Sequence, residues 1–233
     1  MKRFFALAFT AVFLFGCTPR VPYAEGESGG EPVPAYGGAM KIYSYNPDTL
    51  NPIYTRNRTN AQMLMLIFDF LITCGGDQRP IPALASEYSV SADGLTWTVR
   101  LRDGVTWHDG SAFTAADVAA TLTAVKNSTH GSPYRENLSN AVKIEAAGSA
   151  VIITLAAPQT NFINLLEIPM VKASEANVLD GFRLVGTGQF VYAESTNKLI
   201  LLSANKGWWG ESTPYIDNVE VALLPDKSTA VYA

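Results

Sequence analysis

Two hydrophobic periods alternate along the chain after residue 39, and each change of period marks an element. Met40-Lys41-Ile42-Tyr43-Ser44-Tyr45 puts Met40, Ile42 and Ser44 on one face, which predicts a strand, and Asn46-Pro47-Asp48 breaks it. Met63, Ile67 and Phe70 then recur at i, i+4 and i+7. They predict a helix over 60–71, capped by Thr59 with Gln62 closing a reciprocal box. From Glu87 the period drops to two. Tyr88 and Val90 lead into Asp93-Gly94, after which Leu95, Trp97, Val99 and Leu101 alternate with polar residues, a β-hairpin with one buried face. Trp97 and Trp107 belong to its core, and Arg100 and Arg102 to its solvated side. Asp103-Gly104 and Asp109-Gly110 mark two more chain reversals.

Thr114 with Asp117 caps a second helix, whose stripe of Val118, Leu122 and Val125 carries it to about Asn127. Residues 142–146 and 151–155 read as a hairpin around Gly148, and 160–168 as a short helix ahead of Pro169. Further strands are expected at 189–192, 199–202 and 215–224, and residues 226–231 begin another capped helix. The mixture is α+β, and the sequence reads as the front part of something longer.

Ahead of this lies a different kind of segment. Lys2 and Arg3 precede an apolar run from Phe4 to Phe15, the n- and h-regions of a secretory signal, too short to cross a bilayer. It ends on Leu14-Phe15-Gly16-Cys17, which resembles a bacterial lipobox, so residues 1–16 are read as a signal peptide and Cys17 as the lipidated N-terminus. Residues 17–39, rich in Pro, Gly and small polar groups, form a lipid-anchored flexible linker. Gly26-Glu27-Ser28-Gly29-Gly30 matches GxSxG, but neither a strand precedes it nor a helix follows, so it is linker composition.

Composition narrows the chemistry. Of 233 residues 48% are apolar and only 16% charged, with Lys+Arg 17 against Asp+Glu 21. No positive excess exists to neutralise phosphates, so nucleic acid is not a partner. With Cys17 acylated, Cys74 has no disulfide partner, and with His108 and His130 the only imidazoles a closed zinc site lacks ligands, so neither metal nor cofactor is expected. His108, Asp109 and Ser111 include the residue types of acyl transfer, yet neighbours on an extended segment point to opposite faces and cannot form the base-orienter bond. The chain is not read as an enzyme.

The stretch from Leu84 through Trp97, Trp107 and His108 to Gly110, continuing into Phe113-Thr114-Ala115-Ala116-Asp117-Val118, resembles the signature of the family 5 extracellular solute-binding proteins, the dipeptide-, oligopeptide- and nickel-binding lipoproteins of ABC importers. Leu50-Asn51-Pro52, Gly186-Thr187-Gly188, residues 205–210 and residues 215–219 support the resemblance, which covers about residues 40 to 230. The chain departs from the family at Gln189, commonly Pro, and at Asn51, commonly Asp. The resemblance implies a periplasmic-binding-protein-like fold of type II with an extra domain, its third domain missing here. Residues 40–57 and 182–233 would be part of lobe I and 58–181 the extra domain. It implies a monomeric substrate-binding lipoprotein on the extracytoplasmic side of a bacterial membrane, capturing peptides or a similar small solute for ABC permease subunits. The alternative is a surface lipoprotein, or a fragment of such a binder, without transport function. For the ligand site, Tyr45 and Asn46 offer a ring and an amide at the cleft edge, and Gly186, Thr187 and Gly188 a close backbone approach. Two readings stand at these positions, ligand contact or a tight turn with a core tyrosine.

Overall fold

A computed structural model describes residues 35–45 and 47–225; the signal peptide, Cys17, residues 17–34 of the linker with their GxSxG match, Asn46 and the capped start at 226–231 lie outside the described residues. In chain order the strands are β1 (Ala39–Tyr45), β2 (Ile72–Cys74), β3 (Pro80–Pro82), β4 (Ala85–Val90), β5 (Thr96–Leu101), β6 (Ala141–Ala147), β7 (Ala150–Leu155), β8 (Phe190–Ser195), β9 (Leu199–Ala204) and β10 (Asn218–Leu224). The α-helices are α1 (Arg58–Leu64) and α2 (Ala115–Lys126). One four-stranded sheet has the order β1-β10-β9-β8, another β4-β5-β7-β6, and β2 pairs with β3 alone. The architecture is mixed α/β.

The hairpin of period two forms the expected sheet. Trp97, Val99 and Leu101 on β5 and Val151, Ile153 and Leu155 on β7 are at most 5% exposed, on the face that α2 covers with Val118, Leu122 and Val125. Fully burying each such side chain is worth about 1.5–3 kcal/mol. Thr114 starts α2 as predicted: its backbone N–H and its hydroxyl both donate to Asp117 Oδ2, at 3.0 and 2.9 Å. On the opposite, wet face Arg100 Nε meets Glu87 Oε1 at 2.7 Å with both side chains more than half exposed. Replacing Glu87 by Gln should therefore move the urea midpoint by less than the equivalent of about 0.5 kcal/mol.

The first helix differs from the pattern at both ends. Its cap is Asn57, not Thr59: Asn57 Oδ1 accepts from Thr59 N at 3.0 Å and Asn60 N at 3.1 Å, while the Thr59 hydroxyl turns to Asn57 and to Tyr45 N. At the far end the predicted turns beyond Leu64 are lost to tertiary pairing. The carbonyls of Leu66 and Ile67 accept from Phe190 N and Gly188 N at 2.9 and 2.8 Å, so the ladder tightens into i→i+3 bonds and stops. The element expected at 160–168 is a 3₁₀ helix, Phe162–Leu166, with the i→i+3 bonds Asn164 N to Asn161 O and Glu167 N to Asn164 O, while the Leu165 carbonyl accepts from Asn137 Nδ2 at 3.0 Å. β10 begins at Asn218, three residues later than predicted, where Gly38 O accepts from Asp217 N and Asn218 N. The β2–β3 pair is unforeseen, since Pro80-Ile81-Pro82 reads as anything but a strand; β3 lies on the edge of a two-stranded ladder, where a missing N–H is tolerated.

β1 runs parallel to β10, with Ile42 opposite Val221 and Tyr45 opposite Leu224. Its inward face is Ser44 and half-buried Ile42, next to Val219 and Val221. Both parallel strands release the chain at the same edge, the position at which open sheets present loops to ligands.

Candidate functional site

The loop leaving that edge is organised by one carboxylate. Asp48 Oδ1 accepts from Thr49 N at 2.9 Å, the Thr55 hydroxyl at 2.5 Å and Asn60 Nδ2 at 3.2 Å, and Oδ2 from Arg56 N at 2.6 Å and Asn57 N at 3.3 Å. Burial by itself raises its pKa, but the bonds from Thr55, Arg56, Thr49 and Asn60 outweigh burial and hold the carboxyl below its ordinary value. The ion thus folds a polar, non-periodic segment back on itself. Asn60 Nδ2 closes it further on the Thr49 carbonyl.

Two other segments wall the loop in. Ser132 donates to Ile53 O at 2.6 Å, and the Arg56 guanidinium reaches Gly131 O through Nε at 3.0 Å and Nη2 at 2.7 Å. On the other side the Tyr54 hydroxyl donates to Ala176 O at 3.0 Å, and the buried Asn51 amide donates to the carbonyls of Val178 and Glu175 at 2.8 and 3.2 Å. Asn51 is therefore a structural tie in this chain. Between these walls opens a cavity of about 390 Å³ lined by Asp48, Thr49, Tyr54, Arg56, His130, Leu179 and Asp180. His130 stands edge-on to Tyr54, ring centroids 6.2 Å apart.

A second cluster gathers around Asp69. Its Oδ2 accepts from the indoles of Trp209 at 2.6 Å and Trp208 at 3.2 Å and from the Thr187 hydroxyl at 3.1 Å. Burial raises this carboxyl above its ordinary value despite those three donors. Gly186 and Gly188 lie on the chain at Ile67 so closely that a Cβ on Gly186 would stand 1.8 Å from Ile67 O. His108 completes the junction. Gly186 N donates to its Nδ1 at 3.2 Å, which fixes the proton on Nε2, and that nitrogen donates to Gly188 O at 3.0 Å. Burial lowers the pKa of this imidazole, in keeping with the neutral tautomer. Arg102 lies 4.8 Å from the Trp209 ring centroid.

The residues singled out from sequence fall in different networks. Tyr45 ends β1, half-buried, its N–H on Thr59 Oγ1 and its carbonyl on Asn57 Nδ2 at 2.6 Å. Gly186, Thr187 and Gly188 belong to the Asp69 junction, with Thr187 only 1% exposed. Tyr45 is tied to the cap of α1, whereas the three residues 186–188 are tied to Ile67, Asp69 and His108. Sequence reasoning named the start of the loop and missed Asp48, Tyr54, Arg56 and His130; the signal available was a long polar run without period directly after a strand. The serine cluster is likewise committed: Ser111 donates to Asp109 Oδ1 at 2.6 Å, and Lys172 Nζ contacts Asp109 Oδ2 at 2.6 Å and Ser111 Oγ at 2.8 Å. The hydrogen bonds from Lys172 and Ser111 hold Asp109 far below the usual carboxylate range, and His108 is turned to Gly188 O, so the three do not form a Ser-His-Asp relay. Trp97 and Trp107 are core, 4% and 1% exposed. Among the described residues no group of three or more His, Cys, Asp or Glu could hold a metal ion, and no helix is long and apolar enough to cross a membrane.

Comparison with known proteins places this geometry. The family model described as bacterial extracellular solute-binding proteins, family 5 Middle, matches residues 79–233. The glutathione-binding protein GsiB of Salmonella typhi is 32% identical over 194 residues, 79% of this chain and 38% of its own length, and GsiB of Pectobacterium atrosepticum is 31% identical over 190 residues, 78% and 37%. Among solved structures, AgaA from A.tumefacien R10 in complex with agropinic acid superposes with TM-score 0.74 at 28% identity, over 84% of this chain and 42% of its own. The oligopeptide-binding protein AppA from Bacillus subtilis shares the fold with TM-score 0.73 at 23% identity, over 85% and 42%. The chain spans about two-fifths of the length of the relatives it matches.

Proposed function

Because the chain belongs to the bacterial extracellular solute-binding proteins of family 5, we propose that it is the front portion of the substrate-binding component of an ABC importer. It captures a peptide or similar small solute outside the cytoplasm and delivers it to permease subunits, tied to the membrane through an acylated Cys17. Residues 40–57 and 182–233 are part of one lobe and 58–181 the family's extra domain, with a third domain in the longer receptor. The observation that carries this reading is the cavity between the Asp48 loop, the 130–132 segment and Leu179-Asp180, next to the carboxyl end of the parallel pair β1–β10. It is large enough for a small solute and has polar groups converging on it, as binding sites do.

In this reading Tyr45 and Asn46 open the loop that faces the ligand. Gly186, Thr187 and Gly188 contribute by closing the junction on which the two parts of the chain meet. The named relatives are described as binding glutathione, agropinic acid and, for AppA, a nonapeptide, which supports a solute between a small acid and an oligopeptide in size.

Calorimetric titration of the acylation-blocked Cys17→Ser chain with glutathione and with a defined mixture of di- to pentapeptides tests the proposal. Saturable one-to-one binding, accompanied by slower amide exchange at 48–56 and 130–132, is the expected result. Binding that leaves those amides unchanged would move the site elsewhere. A stable fold with no affinity for any of these solutes would favour the surface-lipoprotein alternative.

A further inference from the structure

Part of the exposed apolar surface is gathered where the described chain begins. Tyr36 is 67% exposed, Tyr215 45% and Met40 39%. The Tyr36 and Tyr215 rings have their centroids 4.8 Å apart, and a cavity of about 360 Å³ beside them has Met40, Phe190, Pro214, Tyr215 and Ile216 among its walls. Backbone bonds fix the arrangement. Gly37 N donates to Tyr215 O at 2.8 Å, and Gly38 O accepts from Asp217 N at 3.1 Å and Asn218 N at 3.2 Å, so the chain is fastened to the 215–218 segment before β1 starts. A surface tyrosine joins an apolar ring to a polar hydroxyl, a combination suited to the headgroup layer of a bilayer, where one end is dry and the other wet.

The place of this patch along the chain says which apolar phase is within reach. Residues 18–34 separate Cys17 from Ala35, and a chain of that length spans at most about 60 Å. With Cys17 acylated, the patch is confined to that distance from the bilayer, an effective concentration on the order of millimolar, at which a weak contact is well populated. Charge does not select the surface: the exposed charged residues next to the patch in sequence are Lys41, Glu211 and Asp217, a mixed set with no cationic excess for anionic lipid. We infer that Tyr36, Tyr215 and Met40 form a membrane-contact surface that rests in the headgroup layer of the bilayer holding Cys17. The inference rests on the reading of Cys17 as an acylated anchor and deepens it, since the lipid then fixes which side of the protein faces the membrane as well as how far away it stays.

Hydroxyl-radical footprinting, read residue by residue by mass spectrometry, tests this on the acylated chain in phosphatidylcholine vesicles. The reference is an unlipidated chain beginning at Thr18, which keeps every described residue. Oxidation of Tyr36 and Tyr215 should slow at least about threefold on the vesicles. Tyr43, 50% exposed and on the opposite face of β1 from Met40, should react at its solution rate. In co-sedimentation with the same vesicles, the weak binding of the unlipidated chain should be lost in the Tyr36→Ser, Tyr215→Ser double variant, kept in Tyr43→Ser, and change little with added salt. Equal oxidation of Tyr36 and Tyr215 in the anchored and unlipidated chains would overturn the inference while leaving the anchor intact. Protection that grows with protein concentration in the absence of vesicles would overturn it as well, in favour of contact between two copies. A native chain that incorporates no labelled palmitate in cells would remove the anchor and the inference with it.

Discussion

Replacing Asp69 by alanine is expected to destabilise the protein by about 2–4 kcal/mol, because the indole N–H groups of Trp208 and Trp209 and the Thr187 hydroxyl would lose one shared acceptor at a half-buried junction. Asp69→Asn keeps an acceptor oxygen in the same place and removes the charge, so its loss should stay within about 1 kcal/mol. The two variants separate the value of the acceptor from the value of the ion. Their pH dependence follows from burial, which raises the Asp69 carboxyl above its unfolded value of 3.8. A group whose folded value is the higher one binds a proton on folding between the two values, so its contribution to stability falls as pH rises through that interval. Asp69→Asn has no such group. Its stability relative to the native protein should climb from pH 3.8 upward and level off once Asp69 is ionised in the folded chain, as read by urea denaturation at stepped pH. A difference that is flat with pH, or an alanine variant as stable as the asparagine one, would be incompatible with a buried, charged hub.

Gly186→Ala is the second large effect. The added methyl would be placed 1.8 Å from Ile67 O and 2.6 Å from Ile67 C, main-chain atoms that no rotamer change can move. Relief requires opening the backbone pairing between 186–190 and 66–67, with the Gly188 N to Ile67 O bond of 2.8 Å and the His108 bonds on Gly186 and Gly188 strained together. The expected loss is at least about 3 kcal/mol, at the upper end of overpacking effects. Gly181→Ala, in a left-handed turn with open space around its Cβ, should lose only about 1 kcal/mol. Parallel urea titrations of the two variants check the ranking.

Elements whose packing partners are near in sequence were legible from pattern alone. The 96–101 strand, the capped 115–126 helix and the 141–155 hairpin follow their periods closely, since each buries one face against its neighbours. Elements decided at long range were not. The first helix ends early because Leu66 and Ile67 give their carbonyls to residues 188–190, and no propensity in 60–71 announces that. The candidate site divides in the same way. Tyr45 and Asn46 could be picked out as the exit of a strand, whereas the cavity needs His130 and Asp180, brought to Arg56 only by folding. The glycines of Gly186-Thr187-Gly188 were visible as a demand for close approach. What they approach, a bend at Ile67 and the ring of His108, is set by contacts distant in sequence.

The lateral partner of β1 is β10, and this pairing has a consequence for how the chain is made. A ribosome delivers residues 39–45 long before 218–224 exist, and contacts so distant in sequence close late. β10 is the only sheet partner of β1, so this first described strand stays unpaired until nearly the whole described chain has emerged. Until then Ile42 and the hydrogen-bonding groups of that strand have no sheet partner, and β10 captures them on arrival.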